Sequence, residues 1–187
     1  MAITKSTITI HMVSSLDGFI ASKNGSISWM NSNDHYENGI TLTEEDVRAF
    51  VDRIDCYVIG SHTYEHALEL GWPYGDKPVI VLTSRNLESD RSQVEFYSGG
   101  LQELVRDKLE SYQKIWVAGG SKIAGDFIRL QLADEIIISI MPVILGEGIP
   151  FFDQIGQEQL LHLENVAAYQ DGMVELSYEV KRRQVTG

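Results

Sequence analysis

Hydrophobic positions along the chain follow two spacings, one typical of strands and one typical of helices. Residues 7–13 alternate polar and apolar, which predicts a first strand that is closed by a turn at Gly18. Thr43 precedes three acidic residues and then apolar residues at positions 47, 50, 51 and 54, so we expect an N-capped amphipathic helix there. A short helix is also expected after Asp34, because helix-capping residue types lead into it.

Later segments continue this alternation of strand and helix. Apolar runs at residues 57–60, 78–82 and 115–118 predict buried parallel strands, and helical spacing at 101–112 and from Ile123 predicts helices between them. From residue 134 onward, an isoleucine-rich run and two strands around an Asp-Gly turn predict a terminal antiparallel set. The expected fold class is α/β, with a mostly parallel central sheet and antiparallel strands at one edge.

Composition narrows the class of protein. The 187 residues, 43% of them hydrophobic and 22% charged, suit one globular domain spanning residues 1–187. No apolar stretch is long enough for a membrane helix and the N-terminus lacks a signal-peptide pattern, so a cytoplasmic protein is expected. The net charge of −12 argues against nucleic acid as a partner, whereas a small phosphorylated molecule can still bind at a local site. Cys56 is the single cysteine of the sequence, so an internal disulfide is excluded. It stands at the start of an apolar run, which predicts a packed, inert thiol.

The strongest chemical signal lies where the strand at 115–118 breaks into a helix. Two glycines, Gly119 and Gly120, let a ligand approach the backbone, and the helix then begins with Ser121, Lys122 and Ile123. Free amides and the positive end of the helix dipole favour a phosphate group at such a point. A tight turn without a ligand would show the same pattern, so this loop alone does not distinguish a phosphate-binding site from a simple turn.

Two other predicted strands end in residue types that bind phosphate. Amides, hydroxyls and a guanidinium suit a dinucleotide, with the planar Arg85 group at a terminal phosphate. For either loop alone, a surface arginine and a turn-forming serine are the simpler interpretation. Because parallel strands end at the same edge of a sheet, three such loops together favour a dinucleotide. The residues concerned are Gly60, Ser61, His62, Thr63, Thr83, Ser84 and Arg85.

Two histidines invite a metal interpretation. His62 and His66 stand four residues apart, a spacing that two zinc ligands on one helix face can have. No third ligand or general-base motif accompanies them in the sequence, so no metal site is predicted. His62 is expected to face the cofactor loop instead.

In their order and spacing these segments resemble the dihydrofolate reductase superfamily, and within it the reductase domain of bacterial riboflavin biosynthesis. The resemblance runs nearly end to end, and it implies a three-layer α/β/α fold, NADPH as the hydride donor and a homodimer. It implies that Ser84 and Arg85 hold the 2′-phosphate and that the other two loops hold the pyrophosphate. Relatives often carry a basic residue where this chain has Ser61, which weakens the expected preference for NADPH over NADH. The matching segments are residues 15–21, Trp29 with Asp34, residues 60–65, 83–85, 119–121 and 142–152.

The resemblance also implies a substrate pocket between the first strand and the segment that holds Asp34. A C=N or C=O bond that accepts a hydride must also gain a proton, and a nearby carboxyl group assists this step. Asp34 is the first candidate, and Asp17, in the turn after the first strand, is the second. The alternative interpretation of Asp34 is a helix N-cap, and one residue can serve both purposes.

Three functions are compatible with these residues. The first is reduction of a pyrimidine- or pterin-like substrate, similar to the 5-amino-6-(5-phosphoribosylamino)uracil reductase of riboflavin biosynthesis. The second is dihydrofolate reduction, which the spacing of Trp29 and Asp34 supports. The third is NADPH binding without catalysis. The zinc deaminase half of the bifunctional riboflavin enzyme is not expected, because a single cysteine cannot build its metal site.

Overall fold

The computed structural model describes residues 6–183. The ends of the predicted domain, residues 1–5 and 184–187, lie outside the described residues. The strands are β1 Thr7–Ser15, β2 Phe19–Ala21, β3 Cys56–Gly60, β4 Val79–Leu82, β5 Val94–Tyr97, β6 Lys114–Gly119, β7 Glu135–Met141, β8 Ile149–Pro150, β9 Leu161–Ala168 and β10 Val174–Val180. The helices are α1 Glu44–Asp52, α2 Ser61–Glu69, α3 Leu101–Asp107 and α4 Ser121–Arg129, with 3-10 turns at Ser28–Met30 and Leu109–Ser111.

The main sheet has the strand order β5-β4-β3-β6-β1-β7-β10-β9. Neighbouring strands are parallel from β5 to β7, whereas β10 runs antiparallel to β7 and β9 runs antiparallel to β10. The predicted terminal antiparallel set is therefore confirmed for β7, β10 and β9. In addition, β7 pairs in parallel with β1 from Thr9↔Glu135 to Ser15↔Met141, which joins this set to the parallel strands. The apolar residues of a buried strand do not show whether the strand pairs with its neighbours in parallel or antiparallel orientation. Here α4 returns the chain to the opposite edge before β7 begins, which makes β7 parallel to β1.

Helices cover both faces of this sheet. α3 and α4 pack on one face, in a core that includes the fully buried Ile10, Val117 and Phe127. α2 packs on the other face, where Tyr64 belongs to a second cluster with Tyr57. This arrangement confirms the predicted three-layer α/β/α fold. Within residues 6–183, no helix is long and apolar enough to cross a membrane.

α1 confirms the predicted helix and its cap. Thr43 Oγ1 accepts a hydrogen bond from the Asp46 amide at 3.1 Å, and the Asp46 carboxylate accepts one from the Thr43 amide at 3.0 Å. This reciprocal capping box stabilises the helix start. The apolar stripe is only partly covered. Ile54, just after the helix, is 5% exposed and Phe50 packs edge-on against Trp116, but none of the nine residues of α1 itself is buried and Val47 is 46% exposed.

No helix follows Asp34, so that expectation is wrong. The chain runs beside the end of β9 instead. The Tyr36 amide donates to the Gln170 carbonyl at 2.8 Å, and the Ile40 amide donates to the Ala168 carbonyl at 2.8 Å. Amides that are bonded to a neighbouring segment are not available to close helical turns, which is why the local capping signal does not lead to a helix here.

Two features of the sheet have no counterpart in the sequence predictions. β5 occupies one edge and mixes partly exposed apolar residues with a glutamate, so it lacks the continuous apolar run of β3 and β4. β2 and β8 form a separate two-stranded ladder that ties the turn after β1 to Ile149 and Pro150. The prediction for Cys56 is confirmed, because the residue is fully buried and burial raises the pKa of its thiol to about 12.

Candidate cofactor and substrate site

The three loops with phosphate-binding residue types leave neighbouring strands at one edge of the sheet. β3 lies between β4 and β6, with Gly60 paired to Leu82 and Ile59 paired to Gly119. Adjacent strands are about 5 Å apart, so the ends of the two outer strands are separated by about 10 Å. The structure therefore brings together the loops at 60–63, 83–85 and 119–123, as the sequence predicts.

Two of these loops pack directly against each other. A Cβ atom built on Gly119 would lie 3.0 Å from Thr63 Oγ1, and one built on Gly60 would lie 3.0 Å from Ile123 Cδ1. A larger residue at either glycine would require the Thr63 or Ile123 side chain to move by a few tenths of an ångström. The Ile123 side chain contributes packing between the loops and offers no polar group to a ligand.

Both helices begin at this edge without a side-chain cap. Their N-cap residues are Gly60 for α2 and Gly120 for α4, and no described side chain bonds to the first-turn amides. Gly120 has a φ of 97°, a conformation that residues with a Cβ rarely adopt. The amides of both first turns and the positive ends of both helix dipoles thus meet at one edge, which favours an anion.

Ser121 places a buried hydroxyl at this edge. The residue is 9% exposed, and its Oγ atom finds no hydrogen-bond partner among residues 6–183. A buried hydroxyl without a partner costs about 1–3 kcal/mol, so such groups need an explanation. Ser121 lies in the first turn of α4 beside the exposed Lys122, where a phosphate oxygen would satisfy the hydroxyl.

Arg85 lies on the third loop, beside a cavity of about 280 Å³. Thr83 shapes this loop, since its Oγ1 accepts a hydrogen bond from the Arg85 amide at 3.0 Å. The Arg85 side chain is 45% exposed, and its Nη2 lies 2.9 Å from Oε1 of Glu65 on α2. The hydrogen bond from Arg85 holds the pKa of Glu65 below its ordinary value. The cavity is lined by residues 83–87, including Ser84, together with Phe96 and Ser98.

The two histidines of α2 lie in separate surface pairs. The His62 side chain is 94% exposed, with Nδ1 3.5 Å from Glu65 Oε2, and His66 Nδ1 lies 3.7 Å from Glu69 Oε2. Each histidine therefore faces the glutamate three residues further along the helix. In the part of the chain that the structure describes, no group of three or more His, Cys, Asp or Glu side chains is arranged to hold a metal ion.

Asp17, in the turn after β1, connects this turn to the segment after β7 through hydrogen bonds. Its Oδ1 accepts hydrogen bonds from the Ser15 hydroxyl at 2.7 Å and the Leu145 amide at 3.1 Å, and its Oδ2 accepts one from the Gly146 amide at 2.7 Å. The Ser15 hydroxyl and these amides hold the pKa of Asp17 below its ordinary value. A carboxylate that is kept deprotonated in this way is better suited to holding a turn than to donating a proton.

Asp34 lies at the same edge, beyond β1. A Cβ atom built on Gly172, in the β9–β10 turn, would lie 2.5 Å from Asp34 Oδ2 and 3.1 Å from Pro142 Cγ. The carboxyl group is therefore beside the residue that follows β7, which pairs with β1, and β1 in turn pairs with β6. Along this edge the order is phosphate loops, β1, then the exposed Asp34. The helix-cap interpretation of Asp34 is wrong, because no helix begins there.

Sequence reasoning misses a polar chain on the sheet face beneath α1. His11 Nε2 lies 3.1 Å from Ser139 Oγ, and Ser139 donates to Glu175 Oε2 at 3.1 Å. The His11 ring stacks on Trp116 at 4.8 Å and meets Phe50 edge-on at 5.4 Å. Glu175 Oε2 is 3.7 Å from the ring, yet burial dominates and lowers the pKa of His11 to about 4. The ring is therefore neutral at pH 7, with Nε2–H donating to Ser139.

The sequence does contain one signal for this chain of hydrogen bonds. Ser139 interrupts the isoleucine-rich run of β7 and is 2% exposed. A buried hydroxyl in an apolar strand needs partners, and those partners come from β1 and β10 on either side of β7. A serine inside a buried strand therefore indicates polar residues on the neighbouring strands, although it does not identify them.

Comparisons with known proteins show which family this chain belongs to. A family model described as the RibD C-terminal domain matches residues 6–174. The uncharacterized Bacillus subtilis (strain 168) proteins YwjB and YyaP are 34% identical over 172 residues and 29% identical over 184 residues. These alignments cover 90% and 91% of this chain, and 95% and 93% of the two relatives.

Two solved structures show the same fold. A Shewanella sp. PV-4 protein provisionally assigned to riboflavin biosynthesis superposes with a TM-score of 0.79 at 27% identity, over 94% of this chain and 99% of its own. A Thermotoga maritima diaminohydroxyphosphoribosylaminopyrimidine deaminase/5-amino-6-(5-phosphoribosylamino)uracil reductase superposes with a TM-score of 0.67 at 18% identity. That match covers 95% of this chain and 57% of the longer protein.

Proposed function

Because the chain belongs to the RibD C-terminal domain family, we propose that it is an NADPH-dependent reductase that transfers a hydride to a pyrimidine- or pterin-like substrate. Such an enzyme would be similar to the 5-amino-6-(5-phosphoribosylamino)uracil reductase of riboflavin biosynthesis. The proposal treats residues 1–187 as one domain that acts in the cytoplasm. The observation that carries it is the meeting of two uncapped helix starts beside the buried, unpartnered hydroxyl of Ser121 within the described chain.

The residues at this edge fit the phosphate groups of a dinucleotide. Amides in the first turns of α2 and α4 would donate to the pyrophosphate, and Ser121 Oγ would gain a partner there. Ser84 and Arg85 would hold the 2′-phosphate through a hydroxyl and a planar guanidinium. The dinucleotide, when bound, supplies a hydride to a C=N or C=O bond of the substrate.

Asp34 would deliver the proton that accompanies this reduction, directly or through one water molecule. It is exposed at the edge beyond β1, on the far side of that strand from the phosphate loops. Asp17 is the weaker candidate, because three donors hold it as a carboxylate. Proton donation from Asp17 would have to overcome these three hydrogen bonds, which stabilise its charged form.

Calorimetry followed by a turnover assay separates this function from its alternatives. The purified protein is titrated with NADPH and NADH, and oxidation of the reduced nicotinamide is then followed with the phosphoribosylamino-uracil and with dihydrofolate. NADPH binding and faster turnover of the uracil support the proposal, while faster turnover of dihydrofolate assigns that activity instead. Binding without oxidation by either substrate or a quinone indicates a non-catalytic NADPH-binding protein. No heat with either cofactor rejects all three functions.

The proposal includes a homodimer formed through the last two strands. β9 is an edge strand, and Leu163 and Val166 on it are 49% and 54% exposed. These side chains continue the apolar face of β10, because they pair with Tyr178 and Leu176. Proteins usually cover an apolar edge strand of this kind. Light scattering should give twice the 21.0 kDa chain mass for the wild type and one chain mass for Leu163→Glu, whereas a monomeric wild type rejects the dimer.

A further inference from the structure

We infer that Glu65 limits the preference of this site for NADPH over NADH, by neutralising the arginine that is proposed to bind the 2′-phosphate. The inference rests on the proposed function and names the residue that chooses between phosphorylated and unphosphorylated dinucleotides. It concerns three side chains: Glu65 and His62 on α2, and Arg85 on the loop after β4.

Glu65 stands where two of the three phosphate loops meet. It lies two residues after Thr63, and its side chain is 44% exposed. Its Oε1 lies 2.9 Å from Arg85 Nη2, and its Oε2 lies 3.5 Å from His62 Nδ1. One carboxylate therefore contacts both Arg85, which is proposed to bind the 2′-phosphate, and His62 in the first turn of α2.

A carboxylate at this position acts differently on the two cofactors. The 2′-phosphate of NADPH carries a charge of about −1.5 to −2 at pH 7, as phosphate monoesters do. Glu65 repels that charge and competes for the guanidinium that would bind it. NADH presents a ribose hydroxyl instead, which can donate a hydrogen bond to a carboxylate, and acidic residues accept such bonds in other dinucleotide sites.

At the start of α2, the position before the first turn's histidine adds no positive charge to balance the negative charge of Glu65. Ser61 occupies the position after the N-cap and carries no charge. The Arg85 hydrogen bond holds the pKa of Glu65 below its ordinary value, so the carboxylate stays charged through the neutral pH range. Because part of the Arg85 charge is already balanced by Glu65, the guanidinium attracts the phosphate less strongly than an unpaired arginine would.

The test compares Glu65→Gln with Glu69→Gln. Glu69 lies one turn further along α2, is 77% exposed and pairs with His66 rather than Arg85, so its substitution removes the same charge from the same helix. Dissociation constants for NADPH and NADH are measured by calorimetry on both variants and the wild type. Glu65→Gln should tighten NADPH binding about two- to fivefold, the effect of one exposed charge pair, and leave NADH binding unchanged or weaker. Glu69→Gln should leave the ratio of the two constants unchanged.

Two further measurements test the cause. The gain in NADPH affinity should shrink as ionic strength rises, because salt screens exposed charges. Glu65→Ala, which also removes the amide that could still hold Arg85, should move the ratio in the same direction. Thermal unfolding of each variant confirms that the measured protein is folded.

The outcomes separate this inference from the function beneath it. If both cofactors bind the wild type and neither Glu65 variant changes their ratio, the inference is wrong and the reductase proposal stands. If Glu69→Gln moves the ratio as much as Glu65→Gln does, the effect is one of overall charge and the inference is also wrong. If neither cofactor binds the wild type, the proposed function fails and the inference fails with it.

Discussion

The proposed phosphate side and the proposed substrate side of the sheet edge are built differently. On the phosphate side, α2 and α4 bury Tyr64 and Phe127 against the sheet, and Ile123 fills the space between their first turns. On the substrate side, α1 buries none of its nine residues, and Asp34 lies on a segment that bonds to the end of β9. The helices of the first region are packed into the core, whereas the helix of the second region has only part of its apolar stripe covered.

This difference indicates which region of the protein should become more ordered when its ligand binds. A preformed phosphate site loses little conformational entropy when its ligand arrives. A helix with few buried apolar contacts has low local stability, so we expect the substrate side to become ordered during substrate binding. Substitutions on the phosphate side should therefore change cofactor affinity, and those on the substrate side should change turnover or stability.

The largest expected effect is at Asp34. Asp34→Asn should lower turnover by about 10²–10⁴ while NADPH affinity stays intact, because the variant loses the proton donor and no part of the phosphate site. Single-turnover kinetics and calorimetry on the same preparation measure the two quantities. Asp17→Asn is the matched control, and it should reduce thermal stability, since Asp17 accepts three hydrogen bonds within the fold. Unchanged turnover in Asp34→Asn would move the proton to Asp17 or to water.

The next effect concerns Arg85, on the phosphate side. Arg85→Ala should weaken NADPH binding about ten- to a hundredfold, the range for a hydrogen bond to a charged group, and should barely affect NADH. Removal of the guanidinium also leaves the Glu65 carboxylate facing the phosphate without its counter-ion. Calorimetric titration with both cofactors is the measurement. Equal losses of affinity for NADPH and NADH would show that Arg85 does not bind the 2′-phosphate.

A pH effect should appear on the substrate side, at His11. Its pKa falls from 6.5 in the unfolded chain to about 4 in the fold, so the folded protein binds fewer protons between these values. Stability should therefore decline as pH falls from 6.5 towards 4, by about 2 kcal/mol at pH 5 relative to pH 7. Urea unfolding at the two pH values measures this difference. His11→Gln should reduce it, and His162→Gln, at an exposed site on β9, should not.

The smallest effect separates a binding serine from a structural one. Ser121→Ala should weaken binding of both cofactors about two- to tenfold and leave stability unchanged, because the hydroxyl has no hydrogen-bond partner within residues 6–183. Ser139→Ala should do the reverse, with a loss of about 1–3 kcal/mol in the free energy of unfolding, since it breaks the contact between His11 and Glu175. A Ser121→Ala variant that loses stability instead would indicate a structural role for that hydroxyl.

Much of the fold can be predicted from the sequence, because its signals are local. The capping box of α1 involves residues three positions apart, and the buried strands β3, β4 and β6 are continuous apolar runs. β5 and the segment after Asp34 could not be predicted in the same way. β5 depends on pairing with β4, and Ile40 pairs with Tyr169, which is far away along the chain.

The candidate site divides along the same line. Each phosphate loop directly follows its own strand, so its glycines, hydroxyls and arginine can be recognised in the order in which they occur. The contacts that change the charge or hydrogen bonding of these groups could not be predicted from the sequence. Glu65 contacts Arg85 on a different loop, and Ser139 links residues of three strands. Residue types and local spacing are properties of the chain and select the chemistry. Coulomb and hydrogen-bond energies depend on distance in space, so only the folded packing determines which charges and donors act on one another.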